Sequence, residues 1–143
     1  MKLQFKEVVV KGDGNCLYYS LGRALNKTQG ELRQIISDYL IRNRKKRENG
    51  MMLEEWVRLE KDVDLGVYVR RMRESGVWGG NMEISVCSKI WGINVFVLEK
   101  GNGKYRIVSS YVSGNDKRNV FLLYNGVHYN YLEVIKNLAG IKT

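Results

Sequence analysis

Two cysteines and one histidine, Cys16, Cys87 and His128, are the residues able to form a thiolate nucleophile and its base. Cys16 follows Lys11-Gly12-Asp13-Gly14-Asn15, a loop of turn formers, and opens a helical pattern carrying Leu17, Ser20, Leu21, Ala24 and Leu25. A thiol attacks as the thiolate, and a helix N-terminus favours that charge through its free N–H groups and its dipole. Backbone N–H groups around Asp13, Gly14 and Cys16 are placed to converge on an oxygen near the sulfur. Such an oxyanion hole stabilises the tetrahedral intermediate of acyl transfer. From spacing alone, a small buried hydrophobe at a helix start fits Cys16 equally well. Cys87 sits mid-helix among Val86, Ile90 and Trp91 with no glycine loop before it, and reads as core.

His128 is the sole candidate base for a Cys–His pair. It follows the tight-turn signal Asn125-Gly126 and opens the last strand, and a strand edge suits a ring that must hold hydrogen-bond distance from a sulfur. Asn130 lies two residues on, hence on the same side of a strand, where it can accept from the imidazole and fix its tautomer. A structural role is the competing reading for a lone histidine. Tyr129 and Tyr131 face the other way and belong to packing.

The elements that must position these residues follow from periodicity. Residues 4–10 read as a short strand, and Cys16 starts the first helix. Thr28 and Glu31 have capping-box spacing, and Leu32, Ile35, Ile36, Tyr39 and Leu40 follow at helical intervals. That helix ends in the basic run Arg42-Asn43-Arg44-Lys45-Lys46-Arg47. Residues 52–60 and 64–74 read as two charged helices, stopped by Gly76. Asn81 is expected to cap a helix over 82–91 with Met82, Val86 and Ile90 inward. Asn94 to Leu98 is a strand buried on both faces, and Lys104 to Val108, Val120 to Tyr124 and His128 to Leu132 complete a meander. Helices first and strands after predict an α+β sandwich in one domain spanning 1–143.

Composition narrows the function classes. Hydrophobic residues make up 44%, as in a globular chain. The net charge of +9 allows a nucleic-acid partner. The 42–47 run, however, lacks the interleaved aromatics of a stacking platform and reads as a solvated face. The amino-terminal segment has no apolar signal core, and no run has the length of a membrane span. An intracellular setting without a disulfide framework is expected. With one histidine and no C-x-x-C pair, a metal site is not expected, and no cofactor is called for.

Asp13-Gly14-Asn15-Cys16-Leu17-Tyr18-Tyr19-Ser20-Leu21 resembles the nucleophile motif of the ovarian-tumour (OTU) cysteine proteases, D-G-N-C-L-F/Y-x-A/S-L. His128-Tyr129-Asn130 resembles their carboxy-terminal H-Y-D/N motif. Tyr68 to Met72 and Gly76 to Ile84, with Trp78-Gly79-Gly80, resemble a third block lying between. The resemblance implies a papain-like α+β fold with a small, mostly antiparallel sheet flanked by helices and the nucleophile at a helix start. It implies a deubiquitinase, cleaving isopeptide or peptide bonds after the terminal glycine of ubiquitin or polyubiquitin. Cys16 would be nucleophile, His128 general base and Asn130 orienter. Asp13 and the loop through Asn15 would shape the oxyanion hole, and Asp13 could share the orienter role. The short lead-in and short 41–75 helical arm are similar to compact viral members. That likeness would place the chain in cytoplasm, host cytoplasm if viral.

A glycine–glycine tail needs a narrow channel, for which Trp78, Gly79 and Gly80 are the candidate wall; the alternative is a core tryptophan and a simple turn. Carboxylates for the arginines of ubiquitin's tail would come from Glu83, Asp62 or Asp64. Two rival functions remain: an OTU-like protease acting on a viral polyprotein or a ubiquitin-like modifier, and a basic nucleic-acid-binding module without catalysis.

Overall fold

A computed structural model describes residues 3–114 and 118–143, so Met1 and Lys2 of the amino-terminal segment lie outside the described residues. The chain runs β1 (Leu3–Val8), α1 (Cys16–Leu25), α2 (Gln29–Arg42), β2 (Arg47–Glu48), β3 (Met51–Met52), α3 (Leu53–Lys61), α4 (Leu65–Met72), α5 (Asn81–Trp91), β4 (Asn94–Gly101), β5 (Lys104–Tyr111), β6 (Asn119–Tyr124) and β7 (Tyr129–Asn137).

Helix α2 starts where its capping box lies: Thr28 Oγ1 accepts from Glu31 N–H at 3.1 Å, and a Glu31 carboxylate oxygen accepts from Thr28 N–H at 3.0 Å. It stops at Arg42, so the basic run lies mostly beyond it. Arg44 and Lys45 both donate to Glu54 on α3 at 2.8 Å, and Arg47 enters a two-residue strand. The run is therefore partly engaged in local ion pairs rather than a wholly solvated face. Asn49 and Gly50, at φ of 50° and 85°, turn β2 into β3. Both residues need positive φ in this tight hairpin, which Asn-Gly supplies. Two-residue strands show no readable periodicity, which is why the hairpin escapes sequence reading. Helix α5 starts one residue earlier than expected. Its cap is Gly80, and Asn81 is the first helical residue.

The five-stranded sheet has the order β1-β7-β6-β4-β5. β1–β7, β7–β6 and β4–β5 are antiparallel, but β4–β6 is parallel. The expected meander is thus corrected: β5 folds outward from β4 to the sheet edge, and β6 returns on the other side of β4. One face carries the main core, in which Val95, Val97, Val120 and Leu122 meet Leu17, Leu21, Leu32, Ile36 and Ile84 of the helices. On the other face Leu98, Phe121 and Leu132 pack with Phe5, Phe96 and Tyr105. β4 is therefore apolar on both sides, as its run of residues predicts. Leu21 is fully buried where α1 meets this core. Leu21→Ala would cost about 2–5 kcal/mol and loosen the helix that carries Cys16.

Candidate active site

Cys16 is the first residue of α1 and 7% exposed. Helix α1 is tied to β7 at this end: the Ser20 hydroxyl lies 2.8 Å from the Cys16 carbonyl oxygen and 3.2 Å from that of Tyr129. The Tyr129 ring stacks on Tyr124, centroids 4.3 Å apart, so this start of β7 is rigidly packed. The consequence is a contact across 113 residues of sequence: Tyr129 N–H donates to Cys16 Sγ at 3.5 Å. His128 is the residue that precedes this contact in the chain.

His128 ends a four-residue turn rather than opening the strand. Asn125 Oδ1 accepts from Val127 N–H at 3.0 Å and from His128 N–H at 2.8 Å, and Gly126 takes a φ of 100°. The ring packs over Gly12, where an added Cβ would stand 3.6 Å from Nδ1. His128 Nε2 is 2.7 Å from Asn130 Oδ1. The same Oδ1 accepts from Val10 N–H at 3.0 Å. Only an oxygen can accept from that amide, so the Asn130 side chain has one orientation. The imidazole nitrogen facing it must then carry the proton, which leaves Nδ1 with the free lone pair. The ring's tautomer is thus set by a backbone N–H of the segment after β1.

The loop before Cys16 departs from the sequence reading in two respects. The Asp13 carboxylate accepts from Asn15 N–H at 3.1 Å and from the Tyr19 hydroxyl at 2.9 Å. Burial raises its pKa, but these two donors outweigh that and hold it below the usual carboxylate range. Asp13 thus braces its own loop, and Asn130 is the orienter of the imidazole. The second correction is that Asn15 N–H is spent on Asp13 and is not free for an oxyanion. Among the described residues no acceptor takes the Gly14 and Cys16 amides, and both residues line the groove. Gly14 has a φ of 85°, and a Cβ there would come within 2.2 Å of the Gly76 carbonyl oxygen. Only glycine fits.

That groove, about 340 Å³, is also lined by Lys61, Trp78, Gly79, Gly80, Tyr124, Val127 and Tyr129. Trp78 is 64% exposed on its rim, not core. The two glycines differ. An added Cβ on Gly79 would strike Leu17 and Tyr18 at 2.9–3.0 Å, whereas Gly80 has nothing within 4 Å. Gly79 therefore serves packing on α1, and Gly80 borders open space. Glu83 does not face substrate: it is 1% exposed and accepts from Gly80 N–H at 2.6 Å and from the Tyr68 hydroxyl. Burial raises its pKa above the usual range. Asp62 caps the end of α3, and Asp64 pairs with Arg58 at the start of α4. Cys87 is fully buried, its thiol pushed up to about 12 by desolvation. The structure thus sets the Tyr129 amide against Cys16 and Asn130 against His128, places Gly14 beside Cys16 in the groove, and buries Cys87 and Glu83 away from it. Sequence reading also missed Arg33, whose side chain reaches the Asn15 side chain from α2.

Among the described residues no group of His, Cys, Asp and Glu side chains could hold a metal ion, and no helix is long and apolar enough to cross a membrane.

The family model described as OTU-like cysteine protease matches residues 11–133. The OVARIAN TUMOR DOMAIN-containing deubiquitinating enzyme 7 of Arabidopsis thaliana is 27% identical over 142 residues, covering 96% of this chain and 35% of that protein. The ubiquitin thioesterase OTU1 of Drosophila pseudoobscura pseudoobscura is 27% identical over 139 residues, covering 90% of this chain and 35% of that one. The chain thus spans about a third of the length of these relatives. Among solved structures, an ovarian tumor domain in complex with ubiquitin has a TM-score of 0.73 at 18% identity, covering 92% of this chain and 70% of that one. The α+β fold is therefore that of the ovarian tumor domain.

Proposed function

The chain belongs to the OTU-like cysteine proteases, and from that premise we propose that it is a deubiquitinase, hydrolysing the bond after the terminal glycine of ubiquitin by a Cys16 thiolate. The observation that carries the reading is the contact of Tyr129 N–H with Cys16 Sγ at 3.5 Å, one residue along the chain from a histidine oriented by Asn130 at 2.7 Å.

The chemistry follows from that geometry. His128 Nδ1 takes the Cys16 proton, and the sulfur adds to the carbonyl carbon of the terminal glycine. The carbonyl electron pair moves to oxygen, which the Gly14 and Cys16 amides receive at the positive end of α1. The imidazolium, held by Asn130, returns its proton to the departing amine as the C–N bond breaks. A thioester remains on Cys16. Water, deprotonated by Nδ1, then adds to the thioester carbonyl, and the sulfur leaves and is reprotonated. An amide at 130 orients the ring without adding a charge, so the triad works by orientation.

Two further features support a ubiquitin tail. The groove beside Cys16 is bordered by Gly14 and Gly80, which present no side chain, under the exposed Trp78. Relatives matched across most of this chain are named as ubiquitin thioesterases or deubiquitinating enzymes. The proposed setting is cytoplasmic. The test is cleavage of a panel of differently linked diubiquitins by the wild-type chain and by Cys16→Ala. Release of monoubiquitin by wild type alone is expected. No cleavage of any linkage by folded wild type, with release from a ubiquitin-like modifier or a polyprotein junction instead, would move the substrate to that rival.

A further inference from the structure

The largest fully buried side chain is a cation. Arg33 is 1% exposed on α2, yet among the described residues no carboxylate lies within ion-pair distance of it. Its guanidinium donates to four neutral oxygens instead: Nε to Gln29 Oε1 at 2.7 Å, Nη1 to the Met72 carbonyl at 2.7 Å, and Nη2 to Asn15 Oδ1 at 2.5 Å and the Val77 carbonyl at 2.7 Å. Its carbon lies 4.1 Å from the Tyr18 ring centroid. A buried ion with no carboxylate in direct contact carries a desolvation penalty that an apolar side chain of the same volume avoids. Stability alone therefore does not account for the arrangement.

The four bonds have a common destination. Asn15 immediately precedes Cys16. Met72 ends α4, and Val77 leads into Trp78-Gly79-Gly80. Asn15 Oδ1 also accepts from Gly76 N–H at 2.7 Å, and its amide nitrogen donates to Ser75 Oγ at 3.2 Å. One guanidinium thus joins the loop bearing the Gly14 and Cys16 amides to the segment forming the opposite wall of the groove. Arg33 itself does not line that groove. The geometry points to Arg33 as a positioning residue for acyl transfer, acting through Asn15 and Val77 to hold the two donor amides and the Trp78–Gly80 wall in place across the sulfur. The role rests on the acyl-transfer reading above. A lysine cannot replace it, because one ammonium does not span acceptors that need the planar fork.

The test compares Arg33→Lys and Arg33→Gln with wild type in three assays. These are kcat and KM on ubiquitin-aminomethylcoumarin, acyl transfer from p-nitrophenyl acetate, and alkylation of Cys16 by iodoacetamide, which develops no oxyanion. Thermal melts establish that each variant is folded at the assay temperature. The expected result is a fall in kcat of about 10²-fold on both carbonyl substrates. Alkylation should stay within about threefold of wild type, because the sulfur keeps its contacts. An alkylation rate that falls in step with kcat, or an unchanged kcat in a folded variant, overturns the proposal. Should both variants unfold, Gln29→Met on the half-buried first turn of α2 removes one acceptor; it is expected to lower kcat about fivefold with alkylation unchanged, and an unaltered kcat overturns the proposal. Wild type that ignores the ubiquitin substrate but turns over the ester through Cys16 would remove the ubiquitin assignment alone, and the Arg33 comparison is then read on the ester.

Discussion

Replacing Gly14 by alanine tests the donor loop most sharply. The added Cβ would stand 2.2 Å from the Gly76 carbonyl oxygen and 3.1 Å from Trp78 Cδ1. Carbon and oxygen approach to about 3.3 Å even in weak C–H···O contacts, so the loops must part by roughly 1 Å. Alanine also pays about 1–2 kcal/mol for a φ of 85°. Together these put the loss of stability at roughly 2–4 kcal/mol. For a chain of this size each kcal/mol lowers Tm by about 4 °C, so a drop of roughly 8–16 °C is expected. Displacing the Gly14 amide by an ångström should cost about 10²-fold in turnover. Steady-state hydrolysis of ubiquitin-aminomethylcoumarin well below the variant's Tm measures the second effect, and a thermal melt the first. A Gly14→Ala protein with wild-type Tm and turnover within about threefold of wild type would show that the loop contact with Gly76 is not what holds the donors.

Gly79→Ala should destabilise by forcing Leu17 and Tyr18 aside, whereas Gly80→Ala should leave Tm nearly unchanged and raise KM, because its Cβ enters open space beside the groove; melts and KM values separate the two. Asn130→Ala frees the imidazole and strands Val10 N–H, so kcat should fall by about 10²–10⁴-fold with the far-ultraviolet dichroism unchanged. Glu83 has a carboxyl pKa raised by burial, so the folded state holds its proton above the pH at which the unfolded chain releases it. Its contribution to stability is therefore largest below about pH 4.5 and is lost as pH rises through the raised value. The Tm advantage of Glu83→Gln over wild type should accordingly grow as pH increases above that point; an advantage that is constant or shrinks would show that Glu83 ionises without penalty.

Legibility in the sequence followed the range of the interactions. The capping box of α2, the helix start at Cys16 and the glycine at 14 are set within a few residues and are readable. So is the placement of Asn130 against the one histidine, because the period of a strand puts residues 128 and 130 on one side. The parallel β4–β6 pairing is not readable, since an outward-folded β5 and a meander share the same alternation pattern. Nor is the burial of Arg33 and Glu83. A charged residue on an amphipathic helix is expected outside. What reverses that expectation is a set of acceptors and donors more than ten residues away, at Asn15, Met72, Val77 and Tyr68. Gln29, Arg33 and Ser37 do form a polar stripe at four-residue spacing beside Leu32, Ile36 and Leu40, the one local trace of an inward polar face. Asp13 was ambiguous because one carboxylate two residues before a helix can cap its own loop as readily as reach a distant ring; Tyr19, one turn into α1, decides for the loop.

In the proposed mechanism the sulfur at the head of α1 and the imidazole before β7 act as one unit on the ubiquitin tail. Reaction of the folded chain with ubiquitin bearing a carboxy-terminal vinyl sulfone, followed by intact mass and peptide mapping, tests it directly. One adduct is expected, on Cys16, abolished in Cys16→Ala and slowed strongly in His128→Ala, with Cys87 unmodified. An adduct on Cys87, or labelling of Cys16 at the same rate without His128, would contradict it.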